Sequence, residues 1–190
     1  MPGSEIEAEP LAVLGHVPLQ YVLKATSAFP SSPLPALVYR AAFERAEADS
    51  FERLFAKHGW TNSWRNGLYR IHHYHSTAHE VLGVYRGSVQ VRLGGEQGVL
   101  LELKAGDAIV IPSGVAHKNE GATPDFAVVG AYPTGTGPDM QYGKPGERPA
   151  ADRRIQALSL PRADPLQGPT GSLSVLWKSV HPGSGAQRGR

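Results

Sequence analysis

Residues 67–87 read GLYRIHHYHSTAHEVLGVYRG, and residues 106–117 read GDAIVIPSGVAH. In the first stretch, aromatic, apolar and histidine residues recur at every second position, which is the side-chain period of a β-strand. The second stretch carries an apolar run at residues 108–111 that ends at a Pro-Ser-Gly turn. Both stretches therefore predict short strands joined by tight turns.

The same signals extend along the chain. A first strand from Gly67 carries Tyr69, Ile71, His73 and His75 on one face. Later strands are predicted over residues 80–84, 89–93, 99–103, 108–111 and 125–132. Because no helix of about ten residues separates these strands, a parallel α/β sheet is disfavoured. We predict an all-β fold, a sandwich or a barrel.

Shorter elements are predicted on either side. Leu19–Leu23 has the apolar density of a short edge strand. Asp49 followed by Glu52 resembles a capping box and predicts a short N-terminal helix of about ten residues that ends at Gly59. Ser172–Trp177 is predicted to be a last strand.

The predicted domain organisation is simple. Residues 1–18 form a flexible lead-in, residues 19–178 one domain with its core barrel at about 66–133, and residues 179–190 a disordered tail. Twelve of the 38 positions in 133–170 are Gly or Pro, so we expect a long extended C-terminal segment there. Ile155, Leu158 and Leu160 are its expected anchors on the barrel.

Composition excludes several classes of protein. The 190 residues include no cysteine, which excludes disulfides, zinc fingers, iron–sulfur clusters and thiol nucleophiles. The net charge is +2, and the basic residues near the C-terminus are scattered among prolines, which disfavours a nucleic-acid interface. No run approaches the roughly 20 apolar residues of a membrane span, and the N-terminus lacks the pattern of a signal peptide. We expect a cytoplasmic protein that binds neither nucleic acid nor membrane.

The histidines carry the chemical signal. Five of the eight lie within residues 72–117. His73 and His75 are two positions apart and project from the same strand face. Glu80 lies on the next, antiparallel run, and His117 follows the turn at residues 112–114. Three imidazoles and one carboxylate suit a first-row divalent metal.

The spacing also resembles a known family. Residues 67–87 follow G-x5-H-x-H-x4-E-x6-G, and residues 106–117 follow G-x5-P-x-G-x2-H. These resemble the two motifs of the cupin superfamily. The resemblance implies a cupin-type double-stranded β-helix, or jelly-roll barrel, with His73, His75, Glu80 and His117 at the metal-ligand positions. One departure is Gly121, which stands where the second motif usually ends in Asn.

A closer resemblance covers about residues 20–178. The strings FERLF at 51–55, HHYHSTAHEVLG at 72–83 and VGAYP at 129–133 are similar to the bacterial single-domain cupins of the YjlB-like group. That group has no assigned reaction, so the resemblance implies a fold and a site but names no substrate.

Other residues are candidates for the surroundings of the metal. Tyr69, Ile71, Leu82 and Val84 share the face of the ligands and should line the pocket, with Tyr69 as the preferred polar contact. Arg65, Arg70 and Tyr132 are candidates to clamp an anionic group, since guanidinium binds carboxylate with two hydrogen bonds. A structural salt bridge is the alternative use of either arginine.

For five residues near the predicted ligands, the sequence predicts which way they face or what they pack against. His72 and Tyr74 should face outward. His79 adjoins Glu80 with the opposite facing, which suggests either a supporting or a space-filling role. Trp60 and Trp64 should pack the helix against the barrel.

The resulting functional hypothesis is a metal-dependent enzyme. It would hold one divalent transition metal, with Fe²⁺ or Mn²⁺ favoured over Zn²⁺ or Ni²⁺, and act on a small polar or anionic molecule in the barrel. An oxygenase, an isomerase and a decarboxylase all fit. The alternative is a non-catalytic module that binds a metabolite, because fold does not decide function. A metal-free epimerase is disfavoured because all four ligand positions are filled.

A homodimer is also expected. Cupins commonly pair through edge strands, and the apolar segment Leu19–Leu23 offers one.

Overall fold

The computed structural model describes residues 17–180. The predicted lead-in and the predicted tail therefore lie outside the described residues, apart from residues 17–18 and 179–180. Nine strands and three helices lie within that range. In chain order they are β1 (Leu19–Tyr21), β2 (Ala36–Tyr39), α1 (Ala48–Lys57), β3 (Trp60–Asn66), β4 (Glu80–Arg86), β5 (Ser88–Leu93), β6 (Val99–Lys104), β7 (Ala108–Ile111), β8 (His117–Ala122), β9 (Ala127–Pro133), α2 (Ala150–Ala157) and α3 (Ser172–Val180).

The strands form two antiparallel sheets. Six strands follow the order β1-β2-β7-β4-β9-β3, and three follow the order β6-β5-β8. The predicted all-β fold is confirmed, with the short edge strand β1 paired to β2 at one side of the larger sheet. Among the described helices, none is long and apolar enough to span a bilayer.

One hydrophobic core lies between the two sheets. Along β5, Val89, Val91 and Leu93 are buried in alternation with partly exposed residues, as the strand period requires. They pack in one cluster with Leu82 and Ile109 of the larger sheet. This core holds the two sheets face to face.

A second core covers the outer face of the larger sheet. Phe51 of α1 and Trp177 of α3 pack there in one cluster with Leu37 and Val81. Strands β2 and β7 are therefore buried on both faces. Gly83 permits this packing, because a Cβ at that position would lie 2.4 Å from Cδ1 of Phe51.

Helix α1 has the predicted length but a different start. It begins at Ala48, and its first residues have no side-chain cap, so the predicted capping box does not form. Asp49 and Glu52 instead bind Arg65 of β3. The helix ends as predicted before Gly59, whose φ of +77° favours glycine.

The C-terminal region corrects two predictions. The segment 133–170 was expected to be extended throughout, but it contains α2. The strand predicted at Ser172–Trp177 is wrong, because these residues begin α3. Leu173 and Trp177 are four residues apart and buried on one helix face, while Val175 between them is 62% exposed. A spacing of four fits both a strand and a helix, which is why the pattern was ambiguous.

The stretch from Gly67 to His79 is the main local correction. A strand was predicted from Gly67 through His75, but the whole stretch is irregular except for isolated bridges at His73 and Tyr74. Two strands that flank the site, β3 and β8, were not predicted. Their sequences, WTNSWRN and HKNEGA, are too polar to show hydrophobic alternation.

Candidate metal centre

The four predicted ligands come together between the two sheets. Glu80 is the first residue of β4, and His117 is the first residue of β8. His73 is tied to His117 by two backbone hydrogen bonds, of 3.2 Å from His73 N and 2.9 Å from His117 N. His75 lies two residues further along the same irregular segment. All four side chains are at most 6% exposed.

Their donor atoms converge on one point. One ring nitrogen from each of His73, His75 and His117 lies within 4.8 Å of the other two. Oε2 of Glu80 lies 3.5 Å from Nε2 of His75 and 3.3 Å from Nε2 of His117. Three nitrogens and one oxygen thus face a common centre.

Backbone carbonyls orient all three rings. Nδ1 of His73 bonds Ile71 O at 3.0 Å, and Nδ1 of His117 bonds Val115 O at 3.2 Å. Nδ1 of His75 bonds Asp139 O at 2.6 Å. A carbonyl only accepts, so each Nδ1 donates a proton to it, and each neutral ring keeps its Nε2 lone pair for the centre.

Tyr132 orients the carboxylate. Its hydroxyl donates to Oε1 of Glu80 at 3.0 Å and accepts from Nε1 of Trp64 at 2.8 Å. Oε1 of Glu80 is thereby engaged, and Oε2 faces the imidazoles. Burial, together with the charge of Glu80, raises the pKa of Tyr132, so the phenol keeps its proton at neutral pH.

Burial and neighbouring groups shift the pKa values of His73, His75 and Glu80. Burial, together with the neighbouring His117, lowers the pKa of His73 to about 3. Burial also acts to lower the pKa of His75, but the facing Glu80 carboxylate outweighs it and raises that pKa. Burial acts to raise the pKa of Glu80, but the imidazoles of His117 and His75 outweigh it and lower that pKa. At neutral pH His73 is uncharged and Glu80 is ionised.

The donor set fits a transition metal. Oε2 of Glu80 and Nε2 of His117 are buried without a hydrogen-bond partner in the described part of the chain, and a buried polar atom without a partner is costly. Two donors that share one metal at about 2.1 Å lie roughly 3.0–3.5 Å apart. The separations of 3.3 and 3.5 Å around Glu80 match that range. These residues could therefore hold one divalent transition metal.

A cavity of about 420 Å³ opens onto the four residues. Its other lining residues come from β3, from the loop after it, from β9 and from the segment that follows β9. They are Trp64, Arg65, Asn66, Gly67, Leu68, Tyr69, Tyr132 and Met140.

Some of the predicted substrate contacts lie at this cavity and others do not. Tyr69 and Tyr132 line it. Arg70 is exposed and outside the lining, and Ile71 is 63% exposed. Leu82 and Val84 are in the core between the sheets rather than in the pocket wall, because β4 runs away from the centre after its first residue.

Arg65 lines the cavity, but its guanidinium is already engaged. Nε and one terminal nitrogen bond the Glu52 carboxylate at 2.8 and 2.7 Å, and the same terminal nitrogen binds Asp49. The alternative use foreseen for this arginine, a structural salt bridge, is therefore the one observed.

Sequence reasoning missed five lining residues: Trp64, Asn66, Gly67, Leu68 and Met140. Trp64 was expected to pack the helix, but it lines the cavity, while Trp60 does pack with α1. Met140 approaches from the C-terminal segment. Sequence analysis had placed both tryptophans against the helix, and no local pattern marked Met140.

His72 and His79 lie near the site but outside the predicted ligand set, and Nε2 of His72 lies 3.1 Å from Oε1 of Glu96. His72 and Tyr74 are buried, at 7% and 0% exposure, rather than facing outward. The Phe29 ring lies 5.5 Å from that of His72 and 6.3 Å from that of Tyr74, and Gln141 pairs with the Tyr74 backbone. Nδ1 of His79 accepts from Ser113 N at 3.0 Å, and its ring lies 4.8 Å from that of Trp177. His79 therefore fills space between the site and α3.

Comparisons with known proteins agree with this architecture. A cupin domain matches residues 65–129. The chain is also 43% identical, over 149 residues, to the Bacillus subtilis protein named Uncharacterized protein YjlB, a match that covers 78% of this chain and 89% of that one.

Solved structures show weaker similarity. The QdtA 3,4-ketoisomerase from Thermoanaerobacterium thermosaccharolyticum, in complex with TDP, is 21% identical with a TM-score of 0.34, and the match covers 38% of this chain and 58% of that one. Acireductone dioxygenase from Bacillus anthracis, with a cadmium ion in its active centre, is 17% identical with a TM-score of 0.35, covering 46% and 60%. The chain thus spans less than two thirds of either structure. The cupin-domain match, the extensive identity to YjlB and the two antiparallel sheets show that this chain belongs to the cupin family.

Proposed function

We propose that this protein binds one divalent transition metal through His73, His75, Glu80 and His117 and uses it to act on a small molecule in the adjoining cavity. The observation that carries the proposal is the orientation of the three imidazoles. Each Nδ1 is engaged by a backbone carbonyl, and the ring nitrogens left over face one another beside a buried carboxylate oxygen.

The protein's own residues have distinct tasks in this proposal. A divalent metal, when bound, supplies Lewis-acid polarisation of an oxygen atom of the molecule that it holds. The imidazole and carboxylate ligands suit Fe²⁺ or Mn²⁺, with Zn²⁺ and Ni²⁺ as alternatives. Tyr132 keeps the Glu80 carboxylate in one orientation, and the buried surroundings keep bulk water away from the ligands. An oxygenase, an isomerase and a decarboxylase all fit these tasks.

The lining of the cavity favours a substrate with one polar end. Its apolar surface comes from Trp64, Leu68 and Met140. The Arg65 guanidinium is engaged by two carboxylates, so an anionic group would bind at the metal rather than at this arginine. We therefore infer a small molecule whose oxygen atoms reach the metal and whose body packs on these side chains.

Elemental analysis of the purified protein tests the metal. We expect about one transition metal per chain in the wild type, and a much lower content in His75→Ala and in Glu80→Gln. His79→Gln is the matched control, because His79 is a buried neighbour of the ligands and is not one of them. Wild-type metal content in both ligand variants would contradict the site.

A second candidate, non-catalytic binding of a metabolite, is favoured by one observation. The polar groups of Arg65 and Tyr132 are hydrogen-bonded to other residues of the protein. Among the described lining side chains, the Tyr69 hydroxyl is the aromatic hydroxyl without a hydrogen bond, so few polar groups of the wall are free to act on a bound molecule. Dioxygen uptake with diketones, thiols or phenols tests for an oxygenase. Metal-dependent thermal stabilisation by such molecules without turnover would favour the binding module.

A further inference from the structure

His75 differs from the other two histidines in what holds its ring. The carbonyls that bond Nδ1 of His73 and His117 belong to Ile71 and Val115, each two residues back in the same segment. The carbonyl that bonds Nδ1 of His75 belongs to Asp139, 64 residues further along the chain. This residue also lies outside the matched cupin domain of residues 65–129.

The side chain of Asp139 fixes that carbonyl in place. Its Oδ1 accepts from the backbone N–H of Ser76 at 2.6 Å and of Thr77 at 3.3 Å. Its Oδ2 accepts from the Ser76 hydroxyl, and its own N–H donates to Oγ1 of Thr77 at 3.0 Å. Asp139 is thus bound at several points to the two residues that directly follow His75.

Helix α2 also contacts Ser76 and Asp139 through Arg154. Nε of Arg154 donates to Oγ of Ser76 at 2.7 Å, and another guanidinium nitrogen lies 3.6 Å from Oδ2 of Asp139. The next residue in the chain, Met140, lines the cavity. The C-terminal segment therefore contacts the site through a ligand's ring, through the loop after that ligand and through the pocket wall.

We propose that Asp139 is a positioning residue for the metal centre: its carboxylate locks residues 76–77 and 139 together, so that its carbonyl holds the His75 ring with Nε2 toward the other ligands. The inference rests on the proposed metal binding. It extends the centre beyond the four ligands to a segment that the motif spacing does not include.

Metal affinity is the measurement that tests this role. We would titrate Co²⁺ into the metal-free full chain in competition with a chromophoric chelator and record the visible spectrum of bound Co²⁺. Loss of a residue that orients a metal ligand typically weakens affinity about 10- to 100-fold. We expect a loss on the order of 10-fold for Asp139→Asn, which keeps one carbonyl oxygen, and a larger loss for Asp139→Ala.

Glu147→Gln is the matched control. Glu147 is another carboxylate of the C-terminal segment that accepts backbone N–H groups, from Tyr142 at 2.9 Å and from Gly143 at 2.8 Å. It contacts none of the four ligands through a hydrogen bond in the described structure. We expect Glu147→Gln to bind Co²⁺ with wild-type affinity and spectrum even if the fold loses stability.

A double-mutant cycle separates positioning from general destabilisation. In a His75→Ala background, Asp139→Asn should weaken Co²⁺ binding less than about 2-fold, because the ring that it orients is absent. In a His73→Ala background, the loss should match that seen in the wild type. Equal losses in both backgrounds, or a wild-type affinity for Asp139→Asn, would overturn the positioning role while leaving the metal site intact. A wild type that binds no Co²⁺ would overturn both proposals.

Discussion

At the scale of single residues, the centre depends on hydrogen bonds that leave one atom of each ligand unbonded. Each imidazole donates through Nδ1 to a carbonyl, and Glu80 accepts through Oε1 from Tyr132. The result is a set of three imidazoles around one carboxylate, with one atom of each group free and facing inward. This arrangement, rather than the mere presence of histidines, makes the pocket suitable for a metal.

Tyr132→Phe tests the link between this carboxylate and its support. The substitution leaves Oε1 of Glu80 and Nε1 of Trp64 without their partner. An unpaired buried group costs about 1–3 kcal/mol, so we expect the free energy of unfolding of the metal-free protein to fall by that amount. Urea unfolding measures this free energy, and the m-value should remain unchanged. A variant as stable as the wild type would show that the Trp64–Tyr132–Glu80 hydrogen bonds do not support the site.

Sequence spacing selected the four residues that the structure brings together, but it could not supply their surroundings. The intervals that separate His73, His75, Glu80 and His117 follow directly from the chain. Asp139 and Met140 could not be found in this way, because a contact 64 residues away in sequence has no local periodicity. The direction of Trp64 was misjudged for a related reason, since β3 is too polar for its inward face to be read from hydrophobic alternation.

At the scale of elements, the helices close the outer face of the larger sheet. Phe51 of α1 and Trp177 of α3 contribute to one core with the strands beneath them. Strands with hydrophobic alternation, such as β5, were readily predicted. Strand β8 was missed because its inward residues are polar: His117 reaches the centre, and Asn119 is buried two positions later. A strand whose inward residues form the site therefore lacks the hydrophobic alternation of a strand whose inward residues form only the core.

The helix over residues 172–180 predicts very different effects on stability for substitutions at two of its positions. Trp177 is fully buried, and its Nε1 donates to Pro35 O at 3.0 Å. Trp177→Ala should therefore cost about 3–5 kcal/mol of unfolding free energy, as large-to-small changes in cores do. Val175 is 62% exposed on the same helix, and Val175→Ala should change stability by less than about 0.5 kcal/mol. Chemical denaturation of both variants checks this, and similar losses for the two would contradict α3.

At the scale of the whole molecule, the site forms where three parts of the chain meet. The two sheets supply Glu80 and His117, the irregular segment between β3 and β4 supplies His73 and His75, and the C-terminal segment supplies Asp139 and Met140. These parts pack on one another, since Tyr74 of the irregular segment lies in one cluster with Ala116 of the loop before β8 and Ala151 of α2. Assembly of the centre is therefore a consequence of the complete fold and not of the motif region alone.

We propose that His73, His75, Glu80 and His117 hold one divalent metal. X-ray diffraction from crystals of the metal-loaded wild type, with anomalous data at the edge of the bound element, tests it most directly. We predict one strong peak at about 2.0–2.2 Å from Nε2 of each histidine and from a carboxylate oxygen of Glu80. A loaded protein with no anomalous peak in this pocket, or with its metal bound by other residues, would contradict the account.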